Sequence, residues 1–363
     1  MENAKKRAYE KLPLTINTHE WAEGHIQGIA VDLEKGFIYY SFTTLFVKSD
    51  LEGNIKGTVK GLTGHLGCIS FNNEDGKVYG SLEYKHDSIG SGIMQRTGAA
   101  LADEDAFYIA IFDVDRIDRM DMDAETDGVM TAVYLPEVVD DYSSTDKNGE
   151  AHRYGCSGVD GTAIGPVPGD GKDGKTMLFM AYGIYGTLER TDTENQVIMQ
   201  FDWRKFADAA KPLSQLAPHH SGLHSDKRYF LYTGNTTWGV QNIEYDHFTG
   251  DYIVAVYKGK KPCYPNHPMY IIDGSVAPRE AEIYGRDGER GLVLTLKKVG
   301  EAHESGIFGL EFPYGQTGVF AVGDGTYYYS EHATRKTEDG TRYHSSTVRL
   351  YRLDGTDFVP VTE

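Results

Sequence analysis

Five times along the chain a short run alternates apolar and polar residues, stops at a turn former, and is followed by an aromatic run. The first runs are GIAVD (28–32), CISFN (68–72), GTAIG (161–165), NIEYD (242–246) and GLEFP (309–313). The runs that follow are GFIYYSF (36–42), GKVYGSLEY (76–84), KTMLFMAYGIY (175–185), GDYIVAVYK (250–258) and GTYYYSEH (325–332). A period of two marks β-strands, and the Gly- or Asp-containing turns between runs mark hairpins. Third strands are expected at LFVKSDLEG, AFYIAIFDVD, QVIMQFDW, PMYIIDG and STVRLYRLDG. Fourth strands are expected at IKGTVKGL, VMTAVYL, KRYFLYTG, GLVLTLKK and DFVPVTE.

Four short strands repeated five times describe an all-β fold, a β-propeller with four-stranded antiparallel blades in a single domain. The blades are expected at about 25–64, 65–151, 152–237, 238–302 and 303–363. Five blades are favoured and a sixth is left open. Insertions fall at 86–105, 136–152 and 204–226, the last containing KFADAAKPLSQL as a short helix. Within residues 1–24, KLPLTINTH offers a strand that would help close the ring, although the last repeat already supplies four.

The first unit, GIAVDLEKGFIYYSFTTLFVKSDLEGNIKGTVKGL, resembles a repeat of the NHL and strictosidine-synthase-like propellers. The shared features are the GIAVD opening, a Gly turn, an I-Y-Y-S second strand and a D-x-x-G-N turn. The resemblance covers the first blade only. It implies a propeller and no particular activity, because propeller families share this pattern across many functions.

Composition narrows the function classes. A formal net charge of -18 disfavours nucleic acid and anionic membranes, which require a positive surface. No run approaches the roughly 18 apolar residues of a membrane helix, and MENAKKRAYEKLPL lacks the apolar core of a signal peptide. Cys68, Cys156 and Cys263 form neither a CxxC site nor an even disulfide framework, so a reducing cytoplasm is expected. Glycine at 42 residues and tyrosine at 25 fit many turns between aromatic strands.

In a propeller the start of strand one and the end of strand two of each blade share a face. Three positions before the first runs stand His25, His65, Gly158, Gly239 and Gly306; one position before stand Gln27, Gly67, Asp160, Gln241 and Phe308. Arg153, Tyr154, Trp238, His303 and Glu304 lie just upstream. The second-strand ends add Thr43, Glu83, Tyr84, Lys85, His86, Tyr182, Tyr185, Lys258, Lys260, Lys261, Glu331, His332 and Arg335. Polar groups converging among aromatic walls describe a small-molecule site at the channel mouth.

Three chemistries use such groups. Glycan hydrolysis needs two carboxylates about 5 to 10 Å apart, with Asp160, Glu304, Glu331 and Glu83 as candidates. β-Elimination from a uronate needs a base, an acid and a cation for the developing charge. A divalent cation (calcium, manganese or zinc) would draw on His25, His65 and Asp160. No organic cofactor is indicated. The stretch that opens with DAETDGVM at Asp123 has Tyr134 at its twelfth position, where an EF-hand needs its last glutamate; GDGKDGK lacks the ending of a P-loop, and no GxSxG occurs.

The expectation is therefore a carbohydrate-active enzyme, lyase or glycosidase, cleaving an acidic, uronate-containing glycan. Its catalytic candidates are His25, His65, Tyr84, Asp160, Glu331 and His332. Its ligand-binding candidates are Gln27, Lys85, His86, Arg153, Tyr154, Tyr182, Tyr185, Trp238, Gln241, Lys258, His303 and Glu304. The expected partner is a small molecule or oligosaccharide, with the chain a monomer or small homo-oligomer. The alternative is a non-catalytic scaffold that binds a protein or glycan.

Overall fold

Each aromatic second run forms the second strand of its own antiparallel sheet in the computed structural model, which describes residues 12–146 and 149–362. The opening MENAKKRAYEK, considered above for a targeting segment, lies outside the described residues. Blade one contains Ile26–Asp32, Phe37–Phe42, Leu45–Asp50 and Ile55–Lys60, and blade two His65–Asn72, Lys77–Tyr84, Ala106–Phe112 and Met130–Tyr134. Blade three contains Cys156–Pro166, Thr176–Ile184, Asn195–Phe201 and Lys227–Tyr232. Thr236–Asp246, Asp251–Lys258 and Met269–Ile272 build blade four; Val319–Ala321, Thr326–Lys336 and Arg342–Asp354 build blade five. The first strands touch one another in cyclic order, one to five and back to one, closing a five-bladed ring.

The abundance of aromatic residues follows from this stacking. A blade in a ring is covered on both faces, so both sets of alternating side chains in its middle strands are buried. In FIYYSF, Tyr39 joins a core shared by blades one and two, whereas its neighbour Tyr40 joins the core shared by blades five and one. Three further apolar cores fill the two–three, three–four and four–five interfaces. Each such fully buried ring contributes on the order of 1.5–3 kcal/mol.

Closure uses the N-terminal segment. Thr15–Asn17 pairs antiparallel with Arg349, Val348 and Thr347 on the last long strand of blade five, with Ile16 buried beneath. Asp357–Pro360 pairs with the next part of that edge, opposite Tyr351 to Asp354. The fourth position of blade five is thus divided between the two ends of the described chain.

The structure corrects the sequence reading in the last third of the chain. GLEFP is not a first strand: Phe308–Gly309 forms a small hairpin with Glu301–Ala302, and Leu310 bridges Met269 at the outside of blade four. The first strand of blade five is Val319–Ala321, so this blade begins well after residue 303. GLVLTLKK is divided: Arg290–Val293 adds parallel to Lys227–Tyr232 of blade three, carrying Arg279–Glu282 with it, and Leu296 bridges Ile272 of blade four. Similarly, Met122–Asp123 leaves blade two to pair parallel with the fourth strand of blade one. The insertions hold helices at Ser88–Thr97, Pro136–Ser143 and Phe206–Ala209, the last within the expected KFADAAKPLSQL.

Candidate functional site

The first strands of blades one to four all break register at the same end. The irregularities lie between Ile26 and Gly28, Leu66 and Ile69, Val159 and Thr162, and Val240 and Asn242. A bulge swings its extra residue out of the ladder. Here it turns Gln27, Asp160 and Gln241 toward a concavity of about 440 Å³ at the channel mouth. Deeper in, the channel is filled: the Asn242 side chain donates to the Gln27 and Gln316 carbonyls, and Cys68 packs against Asn242 and Thr162. The site is therefore a blind pocket.

Its floor is a compact charged group. His65 and Glu83 are direct partners across the first two strands of blade two, which brings His65 Nδ1 to 3.4 Å from Glu83 Oε1. Lys85 Nζ lies 2.6 Å from the same oxygen and donates to the Ser157 carbonyl at 2.5 Å. The other Glu83 oxygen accepts the Val159 N–H at 3.0 Å. Burial works against a charge on Glu83, yet Lys85 and His65 hold its carboxyl below the usual range. Burial also opposes the Lys85 charge, but Glu83 and then Asp87 raise the ammonium above its ordinary value.

Asp160 behaves in the opposite way. Burial pushes its carboxyl up to about 7, and Glu83 adds to this while His65 and Lys85 oppose it. Its Oδ1 accepts the Cys68 N–H at 3.1 Å. Two neighbouring carboxyls thus sit on either side of neutrality, one charged and one able to carry a proton at pH 7. Glycine makes this closeness possible: a Cβ on Gly67 would lie 2.3 Å from Asp160 Oδ1, and one on Gly158 (φ +124) would lie 1.9 Å from Glu83 Oε2.

Imidazoles form one wall. The ring of His25 lies 4.2 Å from that of His332 and 6.1 Å from that of His344, centre to centre. Burial, followed by repulsion from His332, His344 and His65, lowers His25 to about 3; burial and His344 lower His332 to about 4. The cluster is neutral at pH 7. Among the described residues, no three His, Cys, Asp or Glu side chains are placed to hold a metal ion together.

The opposite wall comes from blades three and four and from the blade-two insertion. Trp238 has a positive φ of 65, which costs a bulky residue energy and is found where local strain serves a site. Its indole lines the pocket with Tyr257, a phenol raised to about 12 by burial and by Asp160. Helix Ser88–Thr97 begins at Asp87, whose carboxylate accepts the N–H groups of Ile89 and Gly90, and ends at left-handed Gly98. One face of this helix presents Ser88, Ile89, Gly92, Ile93 and Arg96 to the pocket.

Of the residues expected from sequence, His25, Gln27, His65, Lys85, Asp160, Trp238 and Gln241 line this pocket, and His332 stands behind His25. Tyr185 is a second layer, 5.8 Å from the indole of Trp238 and donating to Asp87 at 3.1 Å. The others are engaged elsewhere. Tyr84 points into the core between blades one and two, donating to Gln215, and Tyr182 points into the core between blades two and three, donating to Asp141 on helix Pro136–Ser143. His86 pairs with Asp105 on the surface; Arg153 and Tyr154 both bind Glu289. Lys258 pairs with Glu311, and Glu331 is held by Arg349 and Tyr351. His303 bonds Ser305 in the hairpin outside blade four, with exposed Glu304 beside it, because the run used to locate them is not a first strand.

Sequence reasoning missed Arg96, His344, Tyr257, Ser157 and the helix itself. The helix had a signal in its capping Asp87 and terminal Gly98, obscured by two internal glycines that lower helix propensity. His344 comes from a third strand that runs past the ordinary blade length to Arg342.

No known protein family and no curated protein matches the sequence. Among solved structures, the chain is similar to a functionally unknown protein from Desulfotomaculum acetoxidans DSM 771, at 10% identity and a TM-score of 0.36, covering 93% of this chain and 69% of that one. It is also similar to the Dos1 propeller, at 9% identity and a TM-score of 0.28, covering 88% and 78% respectively. The five-bladed ring rests on the chain's own sheets and interfaces. No helix among the described residues is long and apolar enough to cross a membrane.

Proposed function

We propose that the channel mouth cleaves an acidic, uronate-containing glycan, and that it does so by elimination rather than hydrolysis. The observation that carries this reading is one pocket lined by both His65, whose Nδ1 faces Glu83 at 3.4 Å, and Asp160, a carboxyl that retains a proton near pH 7. Hydrolysis would call for two available carboxyls. Of the four candidates, Glu304 lies outside the pocket, Glu331 is tied to Arg349 and Tyr351, and Glu83 is used by Lys85, His65 and Val159. Asp160 alone remains.

In this reading Glu83 is a positioning residue: its carboxylate, 3.4 Å from Nδ1 of His65, attracts that side of the ring and leaves Nε2 for the cavity. Nε2 removes the proton on the carbon next to the uronate carboxylate, and the electron pair left behind forms the new C=C bond. The C–O bond to the departing sugar breaks, and Asp160 gives its proton to that oxygen. Arg96 faces the substrate carboxylate and stabilises the charge that develops there. Trp238 supplies a flat apolar surface for the sugar ring. Gln27 donates to Thr43 and Gln241 to the Trp238 carbonyl, which leaves their own carbonyl oxygens to accept sugar hydroxyls.

The test is a panel of uronate-containing glycans followed by ultraviolet absorbance of the unsaturated product, with His65→Ala and Asp160→Asn as controls. Product formation that both variants abolish supports elimination. New reducing ends without unsaturation would make the enzyme a glycosidase. Binding without turnover would favour a non-catalytic glycan-binding platform.

A further inference from the structure

The pocket does not end at the channel mouth. A second concavity of about 1020 Å³ lies against it, and the two share Gly24, Gly92, Arg96 and His344. The outer one runs between helix Ser88–Thr97, the edge of blade one at Lys60 to Thr63, and the turn of blade five at Gly340 to Arg342. Pockets for single small ligands span roughly 300–1,000 Å³, so the two together exceed what one monosaccharide needs.

Arg96 marks the junction. Its guanidinium packs directly over Gly24, where a Cβ would lie 2.8 Å from Nη1 and where φ is +101. Its one hydrogen bond among the described residues is a long 3.5 Å contact to Thr44 Oγ1, and no carboxylate among them lies within ion-pairing distance. Further out, Arg342 is exposed on the cavity wall, and both arginines lower the His344 imidazole after burial has done so. Lys60 also lines this cavity, paired with Asp121 at 2.9 Å and more loosely with Glu23. In a chain of net charge -18, two arginines spaced along one cleft form a local track for anions.

We infer that the ligand is an oligomer of acidic sugars lying across both cavities, with Arg96 gripping a carboxylate at the junction and Arg342 meeting a second one further out. This rests on the acidic-glycan reading above and adds the length and direction of the chain. A bidentate guanidinium–carboxylate contact gives geometric selection as well as attraction.

The experiment is calorimetric titration of the full chain with oligouronates from monomer to hexamer, and with their methyl esters as uncharged controls. The inference expects affinity to rise with length in the wild type and to fall on esterification. Arg342→Ala should remove the gain from length and leave monomer binding unchanged. Arg96→Ala should weaken every length by about tenfold or more. Arg96→Lys, which keeps the charge but loses the planar fork, should recover only part of this. Acidic sugars binding equally well at every length would overturn the two-cavity ligand and spare the acidic-glycan reading. Equal binding of acids and esters, or no binding of any uronate, would overturn both.

Discussion

Replacing Asp160 by Asn separates the proton on this carboxyl from its shape. The amide keeps an oxygen for the Cys68 N–H, which the carboxyl now accepts at 3.1 Å, and it never ionises. In the wild type, burial raises the group from 3.8 to about 7. The folded state then holds the proton more tightly than the unfolded state, so stability falls as pH rises from 3.8 and levels off above about 7. With one pKa unit worth about 1.4 kcal/mol, the cost of Asp160 is about 2 kcal/mol near pH 5 and about 4 kcal/mol near pH 8.5. Asp160→Asn should therefore gain roughly 2–3 kcal/mol over the wild type between about pH 5 and about pH 8.5. Urea unfolding of both proteins at the two pH values measures this directly. A stability difference that stays constant across the interval would mean that Asp160 titrates as an ordinary carboxyl, and the proposal that it donates a proton would fall with it.

Lys85→Met leaves Glu83 buried and uncompensated, and should cost about 3–5 kcal/mol by urea unfolding, with Glu83→Gln in the same chain restoring part of the loss. His25 and His332, lowered to about 3 and about 4, bind fewer protons folded than unfolded, so both withdraw stability as pH falls from about 6.5 toward 4. The pH dependence of the melting temperature should flatten over that interval in His332→Asn. Ile16→Ala, in the strand that closes the ring, should cost about 2–5 kcal/mol and increase proteolysis near the junction of blades five and one.

What could be read from the sequence depended on where it kept a rhythm. Four first strands announced themselves because each alternates over several residues and ends at a turn former. Val319–Ala321 is too short to alternate visibly, so GLEFP, whose composition fits equally well, stood in its place. Strand pairing is not local, and nothing in RGLV or MD indicates a parallel partner in a neighbouring blade. The site divided in the same way. His25, Gln27, His65, Asp160 and Gln241 could be found because they hold equivalent positions in repeated units. Tyr84 and Tyr182 lie one step away along strands whose alternate residues face the blade cores, and a one-residue difference decides between pocket and core. Arg96 belongs to an insertion with no counterpart in the other blades.

The shared edge in blade five has a consequence for the order in which the protein comes into being. Thr15–Asn17 is synthesised more than three hundred residues before the strand it pairs with, and until then the outer face of blade one has no neighbour. The wall of imidazoles obeys the same delay, since His25 enters from the first blade while His332 and His344 enter from the last. A nascent chain therefore carries His65, Glu83 and Asp160 in the growing arc without a finished site. The pocket, on this architecture, gains its imidazole wall only when the ring snaps shut.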